Sequence, residues 1–298
     1  MQTLTKNNQP EVFFHVGTAK TGTTFLQYRV FPKLKGLFYI QRTRYKKSIK
    51  IISKGAYKRY LVSRELDRRV FESEVQKFAK AYPDTLSIIV FRRHDSYIAS
   101  EYRRYVKNGF TGSFKDFFDV ENDSGYFKKL HMDYDRQIKI LETNFNKKPL
   151  VLVYNDLKND SKAFIGGIAN ALNTTVNLSD LDLSRKHKSY SEKQLKAMQF
   201  VGKYVNMTKR RKFKNGVLNL FWKLYLGGLR YGILHGARLL PDSMFTKEPL
   251  IDKKELKAVK KYYKTEWKAC KAYSTRLVTD LSQVETLDLT EDLIYGGI

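Results

Sequence analysis

The fold of this chain is decided by the stretch Val12-Phe13-Phe14-His15-Val16-Gly17-Thr18-Ala19-Lys20-Thr21-Gly22-Thr23-Thr24. Its first five residues are nearly all apolar, which is typical of a strand buried on both faces. A turn with two glycines and a lysine follows, and residues 23–30 predict the start of a helix. Converging backbone N–H groups and a helix N-terminus bind anions, and the lysine and threonines add donors. The stretch therefore predicts an anion site between a buried strand and a helix.

The order of residues in this loop differs from that of ATP-binding P-loops. In the pattern G-x-x-x-x-G-K-[ST] the lysine follows the second glycine, and the next hydroxyl holds Mg²⁺. Here Lys20 precedes Gly22. The pattern therefore disfavours a metal-dependent NTPase, although a nucleotide-dependent kinase of the P-loop class stays an alternative.

Further strand and helix patterns alternate through the first two-thirds of the chain. Strands are predicted at residues 60–63, 86–91 and 150–154, and amphipathic helices at 66–78, 97–106 and 127–145. Such alternation indicates βαβ units and a parallel sheet. We expect a three-layer α/β, P-loop-like domain with a central parallel sheet and a helical, basic C-terminal part. The predicted boundaries are one domain at 11–280, divided into a core at 11–190 and a helical part at 191–280, with a tail at 281–298.

Composition limits the class of protein and of partner. Hydrophobic residues are 42% of the 298 residues, which argues against a disordered chain. Cys270 is the one cysteine, so an intramolecular disulfide and a multi-cysteine zinc site are excluded. The net charge of +26 calls for an anionic partner such as a nucleotide, a nucleic acid, an anionic membrane or an acidic glycan. The first ten residues are polar, and no run of about 18 apolar residues occurs, so we expect a cytoplasmic protein.

Residues 15–27 resemble the 5′-phosphosulfate loop of sulfotransferases that use 3′-phosphoadenosine 5′-phosphosulfate (PAPS), with the bacterial carbohydrate-type members nearest. The resemblance implies that the loop embraces the 5′-phosphate and that Lys20 contacts the bridging oxygen. The other donor-binding positions that it implies are Gly17, Thr21, Gly22, Thr23 and Thr24.

Three more segments extend the resemblance, which is specific over residues 11–172 and weaker, mostly as a helical pattern, through residue 280. Residues 91–100 resemble the 3′-phosphate motif, in which Arg92 is followed eight residues later by Ser100. Residues 151–157 resemble a strand that ends in Tyr-Glu-Asp-Leu, but Asn155 stands in place of the glutamate. Tyr154 is expected either near the adenine or in the core. Residues 185–189 resemble a loop that folds over the nucleotide, which implies roles for Arg185 and Lys186.

The resemblance implies transfer of a sulfuryl group from PAPS to a hydroxyl of a carbohydrate or glycolipid. The product would be adenosine 3′,5′-bisphosphate (PAP), and no metal would be required. Lys20 would stabilise the leaving oxygen, and Glu65, at the end of the second predicted strand, is the preferred general base. The other candidate bases are His94, Asp95, His131 and His187. His15 is predicted to be a core histidine and Asp95 to be an ion-pair partner.

Two alternatives use the basic charge differently. The chain could bind nucleic acid through its 20 Tyr and 19 Phe residues. No nucleic-acid-binding module is visible in the sequence, however, and nucleic acid is not expected as a partner. It could also lie on an anionic membrane, because the basic residues 209–214 precede an apolar and aromatic segment. A glycolipid acceptor would be compatible with this peripheral location.

Overall fold

Five parallel strands form one sheet in the computed structural model of the protein, which describes residues 9–66, 69–184, 189–207 and 213–274. The strands are β1 (Glu11–His15), β2 (Phe38–Ile40), β3 (Arg59–Ser63), β4 (Leu86–Phe91) and β5 (Leu150–Val153). Their order across the sheet is β2-β3-β1-β4-β5. The predicted central parallel sheet is confirmed. β2 was not predicted, because three residues are too few to show a period.

The α-helices follow in chain order. They are α1 (Thr23–Phe25), α2 (Ser48–Ile52), α3 (Phe71–Ala81), α4 (His94–Lys107), α5 (Phe114–Phe117), α6 (Tyr134–Asn144), α7 (Tyr154–Asn159), α8 (Ser161–Ala171), α9 (Glu192–Gly202), α10 (Gly216–Gly236), α11 (Lys253–Tyr262) and α12 (Lys264–Tyr273). A π-helical turn (Leu26–Val30) and a 3₁₀ turn (Phe31–Lys33) continue α1.

Two hydrophobic clusters cover the two faces of the sheet. On one face Phe14 packs against Phe78 of α3, and Phe91 stacks on Tyr134 of α6. The other face contributes side chains such as Phe13 to a cluster that includes residues of α8 and of the π-helical turn. Successive residues of a strand point to opposite faces, so these strands are apolar throughout because both faces are covered. The result is the predicted three-layer α/β arrangement.

Three predicted elements have different limits in the structure. The helix expected from residue 66 begins at Phe71, because Leu66 still bonds through its backbone to Val16. The helix expected over 127–145 is a 3₁₀ turn (Lys129–Met132) followed by α6, which Asp133 caps by accepting from the Arg136 N–H. The strand expected to end at Tyr154 ends at Val153, and Tyr154 begins α7.

The described residues form two compact units that interleave along the chain. The first unit holds the sheet, with residues up to 92, 133–184 and those from 266 onward. The second unit holds residues 93–132 and the described residues from 189 to 265, which contain helices and turns but no strand. The helical character expected of the C-terminal part is thus present. The single domain predicted at 11–280, its division at residue 190 and the tail at 281–298 stay predictions.

A search of the described residues for a helix that is long and apolar enough to cross a membrane finds none.

Candidate active site

The candidate site lies in the first unit, at the carboxyl ends of adjacent strands. β1 lies between β3 and β4, and the chain leaves β1 toward β2 but leaves β4 toward β5. In open parallel sheets such a reversal opens a crevice at the carboxyl edge, where ligands bind. The loop predicted to bind an anion leaves β1 at this point, and Arg92 leaves β4.

Positive φ angles give the loop its tight turns. The φ angles are +20° at Gly17, +64° at Lys20 and +85° at Gly22. A Cβ added at Gly17 would lie 2.7 Å from Cε1 of His15, and one added at Gly22 would lie 2.6 Å from a methyl carbon of Leu157. Glycine is therefore required at both positions for conformation and for space.

The threonines of the loop have two different roles. Thr21 and Thr23 are buried, and both hydroxyls donate to the carbonyl of Thr18, at 2.7 and 2.9 Å. Thr18 in turn donates to the carbonyl of Val90 on β4 at 3.1 Å. These bonds hold the loop against the sheet, so the hydroxyls of Thr21 and Thr23 are structural in this arrangement. Thr24 is exposed in the first helical turn.

Arg92 is positioned directly beside the loop. Its Nη1 donates to the carbonyl of Lys20 at 3.2 Å, and its Cζ lies 4.9 Å from the ring centre of Tyr154. The ring of Tyr154 also lies against Gly22, since a Cβ there would come 3.4 Å from it. The structure thus brings Lys20, Arg92 and Tyr154 together at the carboxyl edge. With the exposed Lys20 side chain, the site has two cations and the loop N–H groups, a donor set that suits a polyanion.

Glu65 follows β3 and lies next to the start of the loop. The N–H of Arg64 donates to the carbonyl of His15 at 2.9 Å, and that of Leu66 to the carbonyl of Val16 at 3.4 Å. The backbone on both sides of Glu65 is therefore fixed to the two residues that precede Gly17. Glu65 itself is partly exposed.

A buried polar group beneath the loop was not predicted as a unit. His15 Nδ1 lies 2.8 Å from Ser63 Oγ, which also accepts from Gln27 Nε2 at 3.0 Å. Burial lowers the pKa of His15 to about 3, so its ring is neutral. His15 is thus a core histidine, as predicted, although its Nε2 and the Oε1 of Gln27 have no hydrogen-bond partner among the described residues. His15 and Ser63 are register partners at the ends of the adjacent strands β1 and β3. Only the strand pairing reveals this relation, so the sequence carried no local signal for the pair.

The remaining predicted side chains belong to the second unit. Ser100 lies in α4 and is half-buried, so its pairing with Arg92 on one phosphate stays a prediction. Asp95 makes a bidentate ion pair with Arg93, at 2.6 and 2.9 Å, which confirms its interpretation as an ion-pair partner. His94 is buried, its Nε2 lies 3.1 Å from the carbonyl of Met132, and its ring stacks on Tyr263. Its burial makes it a poor base for an external substrate.

His131, the fourth candidate base in the described residues, also makes an aromatic contact. His131 is partly exposed and packs edge-to-face on Phe127. His187, Arg185 and Lys186 lie outside the described residues. The described segment leading to them is tied to the π-helical turn after the loop, because Arg29 donates to the carbonyls of Asp182 and Ser184 at 2.7 Å each.

The chemistry of two other groups is limited. Cys270 is buried, and burial raises the pKa of its thiol to about 12, so it is not a thiolate nucleophile. Among the residues that the structure describes, His, Cys, Asp and Glu side chains form no group of three that could hold a metal ion.

Comparison with known proteins gives a structural likeness only. No family model matches the chain, and no curated protein matches it. The crystal structure of a sulfotransferase from Alicyclobacillus acidocaldarius resembles the chain with a TM-score of 0.47 and 16% sequence identity, covering 67% of this chain and 94% of that one.

Proposed function

We propose that this protein is a sulfotransferase that moves a sulfuryl group from PAPS to a hydroxyl of a carbohydrate or glycolipid. The observation that carries the proposal is the juxtaposition of Lys20, Arg92 and Tyr154 around a tightly turned loop at the carboxyl edge of the sheet. These positions match the phosphosulfate loop, the 3′-phosphate motif and the third segment of the family that the sequence resembles.

The loop and the two cations suit both ends of a bisphosphorylated nucleotide. Loop N–H groups and the exposed Lys20 and Thr24 would hold the 5′-phosphosulfate. Arg92, already oriented by the carbonyl of Lys20 and the ring of Tyr154, would donate to the 3′-phosphate with a preorganised guanidinium. Ser100 is the predicted second donor to that phosphate. Arg185 and Lys186 are proposed to close over the nucleotide.

In the reaction, the acceptor oxygen forms a bond to sulfur while the bond from sulfur to the bridging oxygen breaks, and the electron pair stays on the phosphate of PAP. Lys20 and the loop N–H groups would stabilise the charge that grows on this oxygen. The lysine and the loop amides would supply positive charge there without a metal, so no metal is proposed.

Glu65 is the proposed general base. The residues on both sides of Glu65 are bonded to His15 and Val16, just before the loop, and Glu65 is partly exposed, so its carboxylate would face an acceptor that approaches the loop. It would accept the proton that the attacking hydroxyl loses. The buried His94 is a weaker candidate, and the partly exposed His131 is the main competitor. The carbohydrate or glycolipid class of acceptor rests on the resemblance and on the basic charge of the chain.

Ligand titration tests the donor site directly. We expect the purified protein to bind PAP far more tightly than AMP, because only PAP carries the 3′-phosphate that Arg92 would read. ATP and a short oligonucleotide are the controls for the kinase and nucleic-acid alternatives. Equal affinities for PAP and AMP, or a preference for ATP or the oligonucleotide, would contradict the proposal.

A further inference from the structure

Helix α10 of the second unit exposes a long apolar face. Its 21 residues, Gly216–Gly236, span about 31 Å. The exposed large side chains include Val217, Leu220, Phe221, Leu224, Tyr225 and Tyr231. Single exposed apolar residues are ordinary on protein surfaces, but a continuous stripe of this length marks a binding surface.

The opposite face of α10 fixes the helix to its own unit. Leu226 and Leu234 are buried and pack with Met198 of α9. Gln194 of α9 donates from its Nε2 to the carbonyl of Leu234 at 2.7 Å. The inner face is thus held by packing and a buried hydrogen bond, which leaves the outer face available to a partner.

The charges of α10 lie away from its outer apolar face. Arg230 donates to the carbonyl of Met207 at 2.7 Å, on the inner side. Lys223 is exposed and precedes Arg230 by seven residues, which is about two turns, so it lies along the same side of the helix. Exposed Lys214 and Arg238 flank the two ends of α10. The apolar face is therefore bordered by cations and carries none.

The wider sequence around α10 is basic without any acidic residue. Residues 209–241 contain eight Lys and Arg residues and no Asp or Glu. Of these, residues 209–212 lie outside the described residues and are not part of the surface argued here. An apolar face bordered by basic residues and rich in Leu, Phe and Tyr is the pattern of a helix that lies in the headgroup region of an anionic bilayer.

We infer that the outer face of α10 docks on an anionic lipid surface, with its apolar side chains in the headgroup–acyl boundary and Lys214, Lys223 and Arg238 near lipid phosphates. A second copy of the chain is a poorer occupant, because self-association would bring two acid-free basic segments together. The inference is independent of the proposed sulfotransfer and would hold if the activity were different.

Vesicle cosedimentation of the full-length protein tests the inference. We expect binding to vesicles of phosphatidylcholine mixed with phosphatidylglycerol at low salt, and little binding to phosphatidylcholine alone. About 0.5 M salt should release most of the protein, because it shortens the screening length to a few ångström. Each cation near the surface should contribute about fivefold to the affinity, so Lys214→Gln with Arg238→Gln should weaken binding about 25-fold.

Variants of the apolar face separate this surface from general basic charge. Phe221 and Leu224 are 64% and 62% exposed, so Phe221→Gln with Leu224→Gln should leave the fold intact and weaken vesicle binding at least tenfold. Leu130→Gln is the matched control, since Leu130 is 54% exposed and lies outside α10. Circular dichroism and thermal unfolding establish that each variant is folded.

Several results would overturn the inference. One is the absence of binding to the phosphatidylglycerol vesicles at low salt. Others are equal binding to both vesicle types and unchanged binding by the Phe221→Gln, Leu224→Gln variant. Self-association that this double variant abolishes would assign the face to a second copy and equally overturn it.

Discussion

Replacing Arg92 by Ala gives the sharpest test of the donor site. Its guanidinium is partly buried and is held by the carbonyl of Lys20 and the ring of Tyr154. Removing such an oriented charge from a phosphate costs about 2–3 kcal/mol, the lower part of the range for buried charged contacts. Because 1.4 kcal/mol is tenfold in affinity, PAP should bind about 30- to 150-fold more weakly.

The ratio of PAP to AMP affinity isolates the 3′-phosphate. The charge-assisted bond from Arg92 to the Lys20 carbonyl is lost as well, and any effect of this loss on the loop would weaken both ligands about equally. The ratio of PAP to AMP affinity should therefore fall only by the contribution of the contact between Arg92 and the 3′-phosphate. Calorimetric titration of both ligands measures this ratio.

The neighbouring arginine provides a matched control. Arg93 differs from Arg92 by one position, but its guanidinium is engaged by Asp95 in a bidentate pair. Arg93→Ala should leave the ratio of PAP to AMP affinity within about twofold of the unmodified protein, with folding checked by circular dichroism. An Arg92→Ala protein that keeps the full preference for PAP, or an Arg93→Ala protein that loses it, would refute the assignment.

Three further predictions concern the other groups of the site. Lys20→Ala should lower turnover about 10²- to 10³-fold and PAP affinity by much less, because the lysine charge matters most as the leaving oxygen develops charge. The control is Lys33→Ala, since Lys33 is an exposed lysine outside the loop. Equal losses in PAP binding and turnover in Lys20→Ala would contradict this role. Glu65→Gln should lower turnover about 10²- to 10⁴-fold with PAP affinity unchanged, whereas a variant that keeps more than about a tenth of normal turnover would pass the role of base to His131. His15 has a pKa of about 3 in the folded protein against about 6.5 unfolded, so the unfolded chain binds the extra proton and stability is lost as the pH falls from 6.5 toward 3. Urea unfolding should show His15 contributing about 2 kcal/mol of that loss between pH 7 and pH 5. The non-titrating variant His15→Asn should lack this contribution to the pH dependence. An equal pH dependence of unfolding in both proteins would show that His15 does not contribute.

Local sequence was sufficient to predict the main elements of the first unit. Buried parallel strands are apolar throughout, so β1, β3, β4 and β5 stand out without any knowledge of their partners. The glycines and the lysine between a strand and a helix likewise indicate a phosphate loop, because the required backbone turns are local. The α/β class and the position of the candidate anion site thus follow from periods of a few residues.

Strand order and side-chain burial were decided only by the tertiary structure. Nothing local places β4 beside β1, yet this neighbourhood brings Arg92 to the carbonyl of Lys20, 72 residues earlier. The same pairing of distant strands puts Ser63 on His15 and the backbone of Glu65 beside the loop. Hydrogen bonds between parallel strands join residues far apart in sequence, so their partners leave no signal in local periodicity.

The direction in which each polar side chain points was a second property that the sequence did not predict. Thr21, Thr23 and Thr24 look equivalent as hydroxyl donors, but only Thr24 is exposed, because the turns at Lys20 and Gly22 point the other two hydroxyls at the carbonyl of Thr18. In the same way His94 is as titratable as His131 in sequence, yet packing on Tyr263 buries it. Residue type determines which chemistry is available, whereas burial and direction, which depend on packing between distant segments, decide which groups can meet a ligand.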